Sequence, residues 1–77
     1  MKIAELAAQL RQRQADRGMA WSTLRRLSDA DIIDCYITCS HCGERQFDRA
    51  TLARIIAQAT DAETFIALCN VNARGKH

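Results

Sequence analysis

Cys39 and Cys42, spaced C-x-x-C and followed at once by Gly43, are the residues of this 77-residue chain with the most chemistry in them. Two thiolates on one tight turn grip one face of a tetrahedral zinc ion, and the backbone N–H groups of such a turn point at the sulfurs. The turn needs a residue that tolerates positive φ after the second cysteine, and Gly43 meets that need. A second reading of the same residues is free thiols in a reducing cytosol. Zinc takes four ligands, so the candidates to complete the set are Cys35, Cys69, His41 and His77. Cys35 depends on local structure. If residues 34–38 are extended, it lies ~13 Å from Cys39, whereas in a helical turn the two are i, i+4 neighbours that can share an ion. Cys69 ranks as the better third ligand if the last helix folds back on the C-x-x-C turn, and as a core cysteine otherwise. His41 sits inside the turn, where side chains point away from a metal, and His77 ends a polar tail.

Written out as Ile37-Thr38-Cys39-Ser40-His41-Cys42-Gly43-Glu44, the segment resembles a zinc knuckle, half of a zinc ribbon, without a second C-x-x-C elsewhere in the chain. The resemblance spans residues 37–44 and implies one structural zinc per chain. The same C-x-H-C core also resembles the motif of thiol–disulfide oxidoreductases, in which the histidine helps keep a thiolate. A thioredoxin-like fold is longer and sets a cis-proline beside its dithiol, while this chain has no proline. A thiol redox protein is therefore the minor alternative.

The elements that must position this turn are mostly helical. Ile3, Leu6, Ala7 and Leu10 recur at helical spacing and predict an amphipathic helix over about residues 3–16, stopped by Gly18. Beyond Leu10 the apolar stripe fades into Gln12, Arg13, Gln14 and Arg17, so the end of this helix is solvated or offered to a partner. Ser22 is read as the cap of a short helix reaching Leu27, with Trp21 just before it as a core anchor or a binding hot spot. Ser28 with Asp31 is a loose capping pattern. Residues 34–38 then alternate like a strand, and Glu44–Phe47 returns as a second one. Asp48 caps a helix with the stripe Leu52, Ile55, Ile56 and Ala59. Thr60 and Glu63 form a capping box for a last helix carrying Ala62, Phe65, Ile66 and Cys69, which Asn70 ends. The expected fold is α+β and mostly helical: three to four helices around a short β-hairpin that carries the zinc knuckle. It forms one domain over residues 1–77. The domain divides into a basic helical part at 1–27, the hairpin at 34–47, a helical pair at 48–70 and a flexible tail at 71–77.

Charge is distributed unevenly. Residues 1–27 carry Lys2, Arg11, Arg13, Arg17, Arg25 and Arg26 against Glu5 and Asp16, a net +4, and the remainder of the chain is −2. A basic third draws nucleic acid or an acidic protein surface. The helix-turn-helix reading of Ala4–Ala7 with Ser22–Leu27 is spaced too widely for a turn of about three or four residues. No zinc-protease, deaminase, serine-triad or phosphate-loop signature occurs, and a chain of this size offers little concavity, so an enzyme with a small-molecule substrate is not expected. No segment is apolar enough for a membrane span or a signal peptide, which points to a cytoplasmic protein without a membrane partner. The small size and the Arg/Ala bias resemble bacterial accessory proteins of phages and mobile elements. The leading expectation is a protein-binding module, an adaptor, regulator or inhibitor, that docks through Arg11, Arg13, Arg17, Trp21, Arg25 and Arg26. A nucleic-acid-binding regulator using the same basic third is the alternative, and the acidic run Asp29, Asp31, Asp34 suits pairing with a second copy in a homodimer.

Overall fold

Leu6, Ala7 and Leu10 lie on one face of a helix, and all three are wholly buried in the computed structural model, which describes residues 1–38 and 47–74. They belong to α1, Ile3–Asp16, whose apolar stripe supplies one wall of the core. Gly18 ends the helix as expected, at φ 104°, a conformation open to glycine and strained for other residues. The Gly18 N–H donates to the Ala15 carbonyl and the Met19 N–H to the Gln14 carbonyl, both at 3.0 Å, which is a Schellman motif. One turn of helix follows, α2, Trp21–Leu24, with Ala20 in the cap position and no side-chain cap, two residues earlier than the Ser22 cap read from the sequence, and it ends short of Leu27.

The third helix, α3, covers Asp29–Ile37. Its start is a full capping box. The Ser28 hydroxyl accepts from the Asp31 N–H at 3.1 Å, and the Asp31 carboxylate accepts from the Ser28 N–H at 3.4 Å. The fourth, α4, covers Arg49–Gln58 and is capped by Asp48, which accepts from the Thr51 N–H at 2.8 Å. The fifth, α5, covers Ala62–Arg74. Its cap lies one residue beyond the expected Thr60: Asp61 accepts from the Thr64 N–H at 2.8 Å, and the Thr60 and Thr64 hydroxyls pair at 3.2 Å. A carboxylate outcompetes a hydroxyl for the helix's free N–H groups because its charge also meets the positive end of the helix dipole.

The expected α+β architecture is overturned: the described residues fold as five helices and form no strand element. Residues 34–37, read as the first arm of a hairpin, are the last turn of α3. Ile33 and Ile37 are both buried, four residues apart, so the helical period set in motion by the capping box prevails over the two-residue alternation of Cys35 and Ile37. The C-x-x-C turn and most of the second arm lie outside the described residues. Phe47, placed on that arm, is a buried core residue just ahead of the α4 cap. Residues 71–74, assigned to the tail, continue α5, where the Asn72 amide donates to the Leu68 carbonyl at 2.8 Å.

α1 packs chiefly on α3, α4 packs on α5, and α1 also touches α2 and α5. Phe65, Leu6, Leu10, Leu24, Ile32, Ile37 and Ile55 are the largest fully buried side chains. No helix among the described residues is long and apolar enough to cross a membrane.

Candidate functional site

The six residues expected at a docking face divide into two groups. Arg11 is committed inside the fold. Its guanidinium reaches Asp29 Oδ1 at 2.8 Å, the Leu27 carbonyl at 2.8 Å and, through Nε, the Leu24 carbonyl at 3.4 Å. These bonds satisfy the carbonyls at the end of α2 and tie the start of α3 to α1, a use of arginine's fixed fork of donors. Arg13 pairs with Glu63 at the start of α5. The other four, Arg17, Trp21, Arg25 and Arg26, are exposed, and among the described residues the three arginines have no ion-pair partner.

They lie within one short stretch of chain, running from the end of α1 through α2 to just before α3. Residues 16–23 are exposed without interruption. Trp21, the only tryptophan, is 42% exposed rather than anchored in the core. Sequence reasoning missed one member of the group, Met19, which is 40% exposed. The signal for it was present in the Schellman motif. An apolar residue after the glycine ordinarily packs on the helix residue five positions back. Here that residue is Gln14, whose amide donates to the Tyr36 hydroxyl at 2.7 Å.

Local preference and structure disagree at this corner: Ala20 is a poor cap, and two large apolar side chains face water. Such disagreements concentrate where a surface serves something other than stability. Trp, Met and Arg are also the residues enriched at protein interfaces.

The acidic run is largely taken up by the fold, since Asp29 pairs with Arg11 and Asp31 completes the capping box. An open polar cleft of about 390 Å³ lies between α1 and the start of α5. Its carboxylates are engaged as well: Asp16 accepts from Gln12 at 2.9 Å, Glu63 pairs with Arg13, and Asp61 caps α5. The backbone and hydroxyl hydrogen bonds from Thr64 hold the Asp61 carboxyl below its ordinary value, so the cap is present above that value and is lost as pH falls through the lowered one. The Gln9 amide oxygen accepts the neighbouring Ala62 N–H at 2.8 Å.

Of the expected zinc ligands, Cys39, His41, Cys42 and His77 lie outside the described residues. Cys35 is exposed near the end of α3, and Cys69 is buried on the apolar face of α5. Residues 35–37 are helical, so the extended geometry that would hold Cys35 far from Cys39 does not apply to them, although the helix ends before Cys39. Burial pushes the Cys69 thiol up to about 11. Stability that depends on this thiol staying neutral is complete below its ordinary value of 9.0 and is lost as pH rises from there toward about 11. Among the described residues no three His, Cys, Asp or Glu side chains gather into a metal-holding group.

No protein-family model matches the chain, and neither does any curated protein or solved structure.

Proposed function

We propose that the chain is a small, non-enzymatic protein-binding module that docks through the α1–α2 corner, with Trp21 as its central anchor. The observation that carries this reading is the exposure of Trp21 and Met19 in the same stretch of chain as three exposed arginines that have no ion-pair partner among the described residues. Its non-enzymatic character is supported by the polar cleft, where Asp61 caps a helix, Glu63 is in an ion pair and Asp16 accepts from the Gln12 amide.

The test compares capture of partners by the wild-type chain, a Trp21→Ala variant and a Val71→Ala variant. Val71 is 63% exposed on α5 and serves as an apolar control away from the corner. Loss of an anchoring tryptophan should weaken binding by about 2 kcal/mol or more, roughly thirtyfold in Kd. Val71→Ala should bind as wild type does. Equal binding by all three chains would contradict the reading.

Zinc belongs to the same proposal as a clip on the connection between α3 and α4. Cys39 and Cys42 are its primary ligands. Cys35 on the adjoining helix is the nearest other thiol in sequence, and Cys69 or a histidine completes the set. A zinc ion supplies folding energy that a core of this size provides sparingly. Intact-mass measurement of thiol alkylation checks it. One zinc per chain is expected, with Cys39 and Cys42 protected until a chelator is added. After chelation Cys69 should still resist alkylation in the folded chain, because its thiol is buried out of the reagent's reach. A metal-free chain whose four cysteines react alike would remove both the clip and the buried thiol.

A further inference from the structure

The corner also constrains the chemistry of what it binds, and this inference rests on the docking reading above. We propose that the partner is an acidic polypeptide segment whose aliphatic or aromatic side chains cover Met19 and Trp21 while its carboxylates pair with Arg17, Arg25 and Arg26.

Three observations support it. From Arg17 to Ser28 the chain carries three cations and no anion, and the acids that flank this segment are engaged, Asp16 with Gln12 and Asp29 with Arg11. The contrast with Arg11 and Arg13 is informative, because both of those have carboxylate partners inside the fold. A guanidinium pairs with carboxylate through two parallel hydrogen bonds, so three exposed guanidiniums in the same stretch of chain as exposed Met19 and Trp21 are matched by a segment that carries both carboxylates and apolar side chains.

The shape of the corner favours polypeptide over nucleic acid. α2 is a single turn, about 6 Å long, too short to lie along a major groove. Met19 has no flat face on which a base can stack, whereas a flexible thioether moulds readily around protein side chains.

The experiment selects binders to the intact protein from a displayed library of random peptides at low salt. The enriched peptides are then synthesised and titrated against the protein, with Trp21 fluorescence as the readout. Random-sequence duplex DNA is titrated in parallel. The expected peptides combine Asp and Glu with large apolar residues, and binding falls about tenfold from low to high salt as the charge pairs are screened. Their affinity drops in Trp21→Ala and in the triple variant Arg17→Ala, Arg25→Ala, Arg26→Ala, whose circular dichroism should match wild type because these side chains are exposed. Affinity for the Trp21→Ala chain is read by calorimetry.

Neutral or basic peptides that require Trp21 and ignore the arginines would overturn the acidic partner and leave the docking reading standing. Peptides bound equally well by Trp21→Ala would overturn both. DNA bound more tightly than any peptide, with that binding lost in the triple variant, would overturn the proposal in favour of nucleic acid.

Discussion

Phe65→Ala should leave the protein largely unfolded at room temperature. Phe65 is the largest fully buried side chain and sits on the buried stripe of α5 between Ala62 and Cys69. Truncating a buried phenylalanine costs about 3–5 kcal/mol, the lost transfer energy plus the cavity left behind. A core of this size rarely supplies more than about 3–5 kcal/mol of net stability, so the loss is comparable to the whole. Urea titration followed by far-ultraviolet circular dichroism should show the folded baseline gone or the midpoint moved close to zero denaturant. A midpoint near that of wild type would mean that α5 does not close the core as described.

The second large effect is expected at Arg11. Arg11→Met keeps the aliphatic stem and removes every donor, so the Leu27 carbonyl and the Asp29 carboxylate lose their guanidinium partner and the Leu24 carbonyl keeps only the Leu27 N–H. Hydrogen bonds to charged groups, discounted for the partial exposure of Asp29, put the loss at about 2–3 kcal/mol. Arg11→Lys should recover little of it, since an ammonium lacks the planar fork that meets acceptors on two helices at once. Arg13→Met offers the contrast. Its ion pair with Glu63 stands at an exposed surface, where such pairs contribute at most about 1 kcal/mol. Chemical denaturation of the three variants should rank Arg11→Met and Arg11→Lys well below Arg13→Met. Equal stabilities would show that the Arg11 clamp does not hold α2 and α3 to α1.

Much of the helical grammar was legible in the residues alone, and the errors have identifiable causes. The extent of α1 and its glycine stop follow from a long apolar period and a residue suited to positive φ, and the structure agrees with both. Asp48 as the cap of α4 is equally local. The strand at 34–38 was inferred from five residues of alternation, a window in which periods of 2 and 3.6 are hard to separate. The deciding information lay upstream, in the Ser28–Asp31 box that starts the helix. The cap of α5 was displaced by one residue because Thr60 and Asp61 are both capping types and the sequence pattern favoured the one with Glu63 three positions on.

The docking face was half legible. An arginine-rich third marks a charged surface, but which guanidiniums remain free depends on tertiary partners. Arg11 and Arg13 were indistinguishable from Arg17 until Asp29 and Glu63 were placed beside them. Trp21 posed the same difficulty, as nothing in its immediate sequence separates an anchor facing inward from one facing out. Cys35 and Cys69 divide likewise, one exposed and the other buried, a distinction that thiol spacing cannot make.

Docking through the α1–α2 corner requires Trp21 to face outward, and the chain's only tryptophan reports on that directly. Its fluorescence in the free, folded protein, measured with and without a neutral quencher such as acrylamide, is the most direct test. A water-facing Trp21 predicts emission close to that of free tryptophan and strong quenching, both unchanged in Phe47→Leu, which alters the core far from the corner in sequence. Blue-shifted emission that resists quenching would place Trp21 in the core and contradict the docking face.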